Sequence, residues 1–310
     1  MQTSSFIQFL KNKEIDKSRW DDCILQGANT LIYARTFYLN HISTDWNALV
    51  GANYEWVLPL TNRKKYGISY LYQPAFAQQL GVFFKPGVTV PYKAIFEYLQ
   101  QHYKFWEINW NYAASTELTD SPHQVDFGNN FIIDLSASYE TIAANYHNDL
   151  VKNLKRSNRF RHFYKTTHEF NKSIELYKQY YGKRMPHVKE TDYHNFCQIS
   201  AYAAQNEIMV CREVLNENNE LMATALLLFD GKRLYNLMNT TTEAGRITGA
   251  NHFLINAIIE EFSGKKVILD FEGSDLQGVK NFYEKFGAVN QPYFRVKYNC
   301  LPWPLKLFKR

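Results

Sequence analysis

The 310-residue chain is poor in the residue patterns that build metal centres and disulfide frameworks. Its cysteines are few and scattered, with no Cys-x-x-Cys pair: Cys23, Cys197, Cys211 and Cys300. Clustered cysteines ligate structural zinc or form disulfides, so this spacing argues against both and fits a reducing cytoplasm. The histidines form neither His-x-x-x-His nor Glu-x-x-His, and the sequence therefore predicts no metal site.

Long apolar runs, a signal sequence and two common catalytic motifs are also lacking. No apolar run approaches the roughly 20 residues that a membrane-spanning helix needs. The N-terminal MQTSSFIQFLKNKE has no basic start followed by an apolar core, so we expect no signal peptide. Neither a Gly-x-Ser-x-Gly elbow nor a phosphate-binding P-loop occurs. We expect a cytoplasmic protein without a transmembrane segment.

The composition is that of a globular protein with a mild basic excess. Hydrophobic residues make up 45% and charged residues 21%, which excludes a disordered chain. The length suffices for two domains. A net charge of +5 permits an anionic partner, such as a phosphorylated cofactor, RNA or a membrane surface, but does not demand one.

One order of elements occurs twice in the periodicity. Two strands, a helix that follows a long loop, and a third strand begin near 54, 67, 92 and 105. The same elements begin again near 221, 233, 250 and 266. Polar residues over 115–130 separate the halves and predict a linker. The two halves share no clear sequence identity, so the repeat is one of pattern only. The repeated pattern predicts two similar α/β domains.

The most informative stretch is 269–288, which predicts a buried strand, a turn and an amphipathic helix. Asp270 and Glu272 alternate with apolar strand residues. Ser274 and Gln277 have capping-box spacing, and Gly287 suits a helix end. The predicted apolar stripe of the helix consists of Val279, Phe282, Tyr283 and Phe286.

The segment NFYEKFGA at 281–288 resembles the last helix of the GNAT acyltransferases. The wider stretch resembles more narrowly the Fem-type (FemABX) peptidyltransferases, which carry two GNAT-like domains in tandem. This resemblance implies an α/β fold of two tandem GNAT-like domains, with mixed, mostly antiparallel sheets flanked by helices. We expect a degenerate N-terminal domain over 1–128 and a C-terminal domain over 129–310 that carries the active site.

The loop before the predicted helix 250–262 partly matches the Gln/Arg-x-x-Gly-x-Gly/Ala pattern of GNAT enzymes. Free N–H groups at a helix start suit a pyrophosphate, so the resemblance implies acyl-CoA, for instance acetyl-CoA, as co-substrate. The alternative is an ordinary loop with Thr248 as helix cap. The implied donor-binding set is Arg246, Thr248, Gly249, Ala250 and Asn251, with the strand residues Leu237 and Asn239 near the reacting oxyanion.

Three residues are candidates for proton transfer. The resemblance implies that Tyr283 protonates the leaving thiolate, and a phenol with a pKa near 10 is a reasonable acid. The alternative is a core tyrosine. Asp270 and Glu272 lie two apart on a strand and share a face, so one could accept a proton from the amine. Alternatively, they pair with Lys or Arg, or face water.

Two basic segments could contact anions. The spacing of Lys152, Lys155, Arg156 and Arg159 places them on one face of a predicted helix, where they could bind phosphate of a donor or acceptor, or simply be solvated. The tail 301–310 mixes apolar and basic residues. We expect it to pack onto the first domain; peripheral contact with an anionic membrane is the alternative.

Together these features predict an N-acyltransferase that joins an acyl group, from acyl-CoA, to an amine of a small molecule or peptide by direct attack. A Fem-type enzyme that uses aminoacyl-tRNA and acts on a cell-wall precursor is the first alternative. A non-catalytic GNAT-like protein that binds a ligand or partner is the second.

Overall fold

The computed structural model describes residues 6–65, 67–114, 123–273 and 275–306. The chain forms two compact units. The first comprises Met1–Gly128 and Pro292–Arg310, and the second comprises Asn129–Gln291. The expected C-terminal domain, 129–310, therefore needs correction at its end, where the chain returns to the first unit.

The first unit combines short strands with three helices in its described residues. In chain order the elements are β1 (Gln8–Leu10), α1 (Lys17–Leu25), α2 (Thr36–Ile42), β2 (Asn47–Val50), β3 (Trp56–Leu60), β4 (Asn62–Lys65), β5 (Ile68–Leu71), β6 (Phe83–Phe84), α3 (Tyr92–His102), β7 (Phe105–Trp110) and β8 (Gln124–Gly128). Helix α1 begins where the Asp16 side chain accepts the N–H groups of Ser18 and Arg19. It buries Trp20 and Ile24, which fixes the helix on the core.

The second unit is built on one long sheet. In chain order its elements are β9 (Phe131–Asp134), α4 (Tyr139–Ala143), α5 (Asn148–Ser157), β10 (Phe163–Thr166), α6 (Phe170–Tyr181), α7 (Glu190–Gln205), β11 (Met209–Leu215), β12 (Leu221–Phe229), β13 (Arg233–Thr241), α8 (Glu243–Thr248), α9 (Ala250–Phe262), β14 (Ile268–Asp270), α10 (Gln277–Glu284) and β15 (Val289–Asn290). The strand order is β10-β11-β12-β13-β14-β9-β15. The β13–β14 pair is parallel, and the other pairs given for this sheet are antiparallel. The predicted mixed α/β architecture is confirmed.

A strand near the end of the chain explains the corrected boundary. Strand β16 (Tyr293–Asn299) pairs antiparallel with β7 on one side and β8 on the other. It is the fourth strand of the sheet β4-β5-β7-β16-β8 of the first unit. Strand β8 itself lies in the predicted linker 115–130, of which 115–122 falls outside the described residues. Both strands find their partners far away in sequence, so local periodicity did not reveal them.

Two short helices, α4 and α5, follow β9. Helix α4 ends at Ala143 and α5 begins at Asn148; between them the His147 N–H donates to the Lys285 carbonyl at 2.9 Å. Helix α10 starts at Gln277, with Leu276 before it. The predicted cap Ser274 lies outside the described residues.

The C-terminal tail is described only in part, since residues 307–310 fall outside the described ranges. Within the described part, the Trp303 side chain is 80% exposed, so its ring does not pack onto the first unit as expected. Membrane contact through the tail stays a prediction. Across the described ranges, no helix has both the length and the apolar character to cross a bilayer.

Candidate active site

A gap opens beside β13 because its parallel partner is much shorter. The pairing covers three positions, from Arg233 opposite Ile268 to Tyr235 opposite Asp270. Strand β13 continues to Thr241, and in the described part of the chain no strand pairs with its β14 side beyond Tyr235. Over its second half, β13 therefore has no strand partner on this side among the described residues.

The backbone turns sharply away just after β14. Glu272 and Gly273 both adopt left-handed conformations, with φ of 62° and 59°. At Gly273 a Cβ would lie 1.9 Å from the Asn129 carbonyl oxygen, so glycine is required there. Glu272 is not glycine and its conformation is strained, which is common at functional sites.

A β-bulge distorts β13 at the gap. Leu227 of β12 lies opposite Asn236 and Leu226 lies opposite Met238, so Leu237 is an extra residue. The extra residue of a bulge does not take part in the regular ladder. The bulge falls within 237–239, the segment predicted to hold the oxyanion.

A buried ion pair fixes the base of the gap. The Arg233 guanidinium donates to Asp270 at 2.6 Å, and their side chains are 5% and 1% exposed. The Asn130 amide donates to the same carboxylate oxygen at 3.2 Å, while the other oxygen accepts the Glu272 N–H at 2.9 Å. Both carboxylate oxygens of Asp270 thus accept hydrogen bonds. Asp270 pairs with an arginine, which is the alternative given for it above. Its bond to the Glu272 N–H also stabilises the turn at Glu272.

Glu272 is half-buried beside this pair. Burial raises the pKa of its carboxyl to about 8, because the ionised form loses hydration. A carboxylate with this pKa is a far better proton acceptor for an amine than an ordinary glutamate.

Tyr283 on α10 lies close to Glu272. Its ring stacks on Phe271 with centroids 4.4 Å apart. Burial raises the pKa of Tyr283 above its ordinary value, and the nearby Tyr177, Glu272 and Tyr181 contribute in the same direction. Tyr283 therefore stays neutral over the physiological pH range and retains a proton to donate. The stacked ring also belongs to the periphery of the apolar core, so packing and proton donation are compatible.

The predicted donor loop contains a short helix. Thr242 caps α8 by accepting the Gly245 N–H at 3.0 Å. Gly249, with φ of 72°, ends α8 and directly precedes α9. The alternative of Thr248 as a cap of α9 is wrong, since its hydroxyl donates back to the carbonyls of Ala244 and Gly245. The positive φ explains why glycine stands at 249.

The end of α5 packs against this α8–α9 junction. The Arg156 guanidinium donates to the Ile247 carbonyl at 2.8 Å, and the Ser157 hydroxyl donates to the Gly249 carbonyl at 3.3 Å. Arg246 is exposed, with its guanidinium 5.8 Å from the centre of the Tyr180 ring.

The predicted basic set is therefore divided. Arg156 lies at the junction, whereas Lys152 and Lys155 are exposed on α5. Arg159 lies two residues beyond Ser157, the last residue of α5, so it does not belong to the predicted helical face.

One polar side chain of β13, Asn236, was not predicted from the sequence. Asn236 is 4% exposed, and neither its amide nitrogen nor its amide oxygen has a partner among the described residues. The Asn239 nitrogen and the Asn251 oxygen are likewise buried without a partner there. A signal existed: two asparagines three apart in an apolar strand do not fit a period of two, and this misfit indicates a bulge.

Similar proteins were found at the level of structure. No protein-family model matches the chain, and no curated protein matches it in sequence. The structure of FemX superposes with a TM-score of 0.67 at 12% identity, covering 97% of this chain and 99% of that one. The fold is thus that of the Fem-type proteins, and the tandem GNAT-like architecture inferred from the resemblance is confirmed.

Two further solved structures share this fold. L-PGS from Bacillus licheniformis has a TM-score of 0.56 at 12% identity, covering 94% of this chain and 95% of that one. A C-terminal domain from Agrobacterium fabrum, described as that of a lysylphosphatidylglycerol synthetase, has a TM-score of 0.57 at 12% identity, covering 95% and 94%. At these identities the similarity establishes the fold alone.

Proposed function

We propose that this protein is an acyltransferase that joins an acyl group to an amine in the gap beside β13. One observation carries the proposal: a carboxyl with a raised pKa, Glu272, and a neutral phenol, Tyr283, lie together where β13 has a bulge and no β14 partner. Such a pair provides a proton acceptor and a proton donor on either side of a reacting carbonyl.

In this scheme the acceptor ammonium loses a proton to the Glu272 carboxylate. The free amine attacks the acyl carbon, forming the C–N bond, and the oxyanion accepts a hydrogen bond from the backbone N–H at Leu237. Collapse breaks the bond to the leaving group, which takes its proton from Tyr283, and the nitrogen of the new C–N bond returns its surplus proton to the Tyr283 phenolate, giving a neutral amide. Asp270 acts indirectly, through its bond to the Glu272 N–H.

Acyl-CoA is the proposed donor because of the α8–α9 junction. Helix α9 begins at Ala250 with N–H groups that have no partner within the helix, and such groups favour phosphate. Arg156 and the exposed Arg246 bring positive charge to α8. The dipole of α9 adds to this attraction.

An ester donor such as aminoacyl-tRNA is the second candidate, with a cell-wall precursor as acceptor. The raised pKa of Tyr283 favours it, because a weakly acidic phenol suits an alkoxide leaving group better than the less basic thiolate. One protein of this fold is named a lysylphosphatidylglycerol synthetase, a name that joins a lysyl group to a lipid.

Thermal shift and turnover with matched variants test the proposal. Acetyl-CoA, longer acyl-CoAs or aminoacyl-tRNA should raise the unfolding temperature, because a ligand that binds only the folded state stabilises it. Tyr283→Phe and Glu272→Gln should keep the binding and lose turnover of the donor that binds. Binding without turnover in the wild type would favour the non-catalytic alternative. No binding of any of these donors would overturn the proposal.

A further inference from the structure

The loop that joins α5 to β10 exposes aromatic side chains. Phe160 lies in this loop and is 40% exposed, and Phe163, the first residue of β10, is 48% exposed. The next residue of β10, Tyr164, packs instead on the apolar core of the second unit. Because neighbouring side chains of a strand point to opposite faces, Phe163 points away from that core. The loop therefore presents two phenylalanine rings that the core does not bury.

A third exposed apolar side chain, Ile247 on α8, lies at the same end of the sheet. It is 67% exposed, and α8 begins two residues after β13 ends. Strands β10, β11, β12 and β13 pair antiparallel in succession, so the start of β10 and the end of β13 lie at one end of the sheet. A lone exposed apolar residue is ordinary, whereas several together mark a contact surface.

Basic side chains accompany these three residues. Residues 150–168 contain six lysines and arginines and no aspartate or glutamate. All six are exposed: Lys152, Lys155, Arg156, Arg159, Arg161 and Lys165. Three exposed glutamates also lie at this end of the sheet, Glu217, Glu220 and Glu243, and Glu217 is 3.8 Å from the Arg161 guanidinium. The basic residues outnumber the acidic ones, so the surface is positively charged.

We propose that this end of the second unit binds the surface of an anionic lipid bilayer. Phe160, Phe163 and Ile247 enter the headgroup region, and the arginines and lysines beside them contact lipid phosphates. Charge complementarity supports this partner, because anionic lipids attract a basic surface and apolar side chains add to the attraction by insertion. The surface includes neither Glu272 nor Tyr283, so the inference does not depend on the proposed acyl transfer.

Single-stranded nucleic acid is the competing partner, since it combines phosphates with bases that stack on aromatic rings. Ile247 favours the bilayer, because an aliphatic side chain enters a lipid headgroup region but does not stack on a base. Phe160 favours it as well. Its ring already stacks on the His162 ring, with centroids 6.1 Å apart, so one of its faces is less accessible to a base.

Vesicle flotation tests the binding. The protein should bind vesicles of phosphatidylcholine mixed with phosphatidylglycerol, and should bind phosphatidylcholine alone at least about tenfold more weakly. Added salt should lower binding to the anionic vesicles, because it screens the charges. No binding to the anionic vesicles would overturn the inference, whether or not the protein transfers acyl groups.

The double variant Phe160→Ser, Phe163→Ser removes the inserting rings. We expect partitioning onto anionic vesicles to fall at least about tenfold, with little change in unfolding temperature because both rings are largely exposed. Ile247→Ser tests the third contact, and it replaces the double variant if that variant fails to fold. Unchanged partitioning in the serine variants would overturn the inference.

The double variant Phe160→Leu, Phe163→Leu separates the bilayer from nucleic acid. Leucine retains an apolar side chain and should preserve vesicle binding, whereas stacking on a base requires the ring. A polyuridylate oligonucleotide is the second probe. If the wild type binds this probe, the leucine variant loses that binding and the serine variant keeps its vesicle binding, the partner is nucleic acid and the inference is wrong.

Phe127→Ser is the matched control. Phe127 is 61% exposed, more than either ring of the loop, but it lies on β8 of the first unit, next to Asp126. Its substitution should leave vesicle binding unchanged. A loss as large as that of the Phe160→Ser, Phe163→Ser variant would overturn the assignment of the contact to the second unit.

Discussion

The two units contain comparable parallel strand pairs that end in different ways. In the first unit β5 meets β7 at Leu71 and Trp106. The chain between them then runs along β7: the Leu80 N–H donates to the Asn109 carbonyl at 2.7 Å, and the Asn111 N–H donates to the Leu80 carbonyl at 2.9 Å. In the second unit β13 passes the end of β14, and no described segment takes the corresponding place.

Asparagine side chains show the same contrast. In the first unit the Asn109 amide donates to the Gln78 carbonyl, and the Asn111 amide donates to the carbonyls of Leu80 and Val82. In the second unit the Asn236 amide has no partner among the described residues. A gap that the chain itself closes serves stability, whereas a gap with unpartnered amides suits a ligand. This contrast supports our proposal that the second unit carries the reaction.

The largest expected effect is on catalysis. Tyr283→Phe keeps the ring that stacks on Phe271 and removes the proton donor. We expect turnover to fall by ~10²–10⁴-fold, the usual contribution of general acid catalysis. Steady-state kinetics with the identified donor measures this. Tyr103→Phe, at a buried tyrosine of the first unit, should leave turnover unchanged; equal losses in both variants would contradict the assignment of the reaction to the second unit.

Breaking the Arg233–Asp270 pair should have the largest effect on stability. Arg233→Ala leaves a buried carboxylate uncompensated, which typically destabilises a protein by about 3–5 kcal/mol. Urea unfolding followed by circular dichroism measures the change. Replacing both partners, as Arg233→Met with Asp270→Leu, should recover much of the loss, because no buried charge remains.

A surface pair provides the control for that experiment. Lys178 and Glu190 lie 2.6 Å apart, but the Glu190 side chain is 75% exposed. Lys178→Ala should therefore cost far less stability than Arg233→Ala. If Arg233→Ala costs no more than this, the ion pair does not fix the base of the gap.

The sequence predicted the elements whose signals are local. Helix α9 has the predicted bounds, 250–262, and strand β12 begins at the predicted position, 221, because both segments are strongly apolar. Strand β16 was missed, since its pairing with β7 joins residues nearly two hundred positions apart. Pairing between residues so far apart leaves no signal in the sequence other than the alternating pattern of a half-buried strand.

Residues of the candidate site could be predicted from the sequence only where the type of side chain itself indicates a chemical role. Tyr283 became a candidate through the resemblance of its helix to that of the GNAT enzymes, and Glu272 through its position at the end of a strand. The engagement of Asp270 depends on Arg233, 37 residues earlier in the chain. The bulge between Asn236 and Asn239 is defined only by the register of β13 with β12.

The raised pKa of Glu272 makes stability depend on pH. The folded pKa is about 8, above the ordinary value of 4.5. Between these values the unfolded chain releases a proton that the folded chain retains, so the free energy of unfolding falls as pH rises from about 4.5 to 8. Glu272→Gln removes this pH-dependent loss of stability. We expect no stability difference at pH 4 and a gain of about 1–3 kcal/mol at pH 8.5.

Urea unfolding of both proteins at the two pH values measures this difference. Since Glu272 is the proposed proton acceptor, wild-type turnover should also rise as pH increases through about 8. Asp134→Asn, at an exposed carboxylate of β9, is the control and should show no such pH-dependent gain. A constant stability difference between wild type and Glu272→Gln at both pH values would contradict the raised pKa.

The smallest expected effect distinguishes the two donors. Arg246 is exposed on α8, beside the junction proposed for a pyrophosphate, whereas Lys155 is exposed on α5. If the donor is acyl-CoA, Arg246→Ala should weaken CoA binding by roughly tenfold, the effect of one charge-assisted contact near solvent. Lys155→Ala should then change CoA affinity little. If the donor is aminoacyl-tRNA, the order reverses, and each lost phosphate contact lowers the slope of log affinity against log salt by about 0.7–0.9. Titrating CoA and tRNA against both variants at several salt concentrations therefore assigns the donor, and equal effects of both variants on both ligands would contradict either assignment.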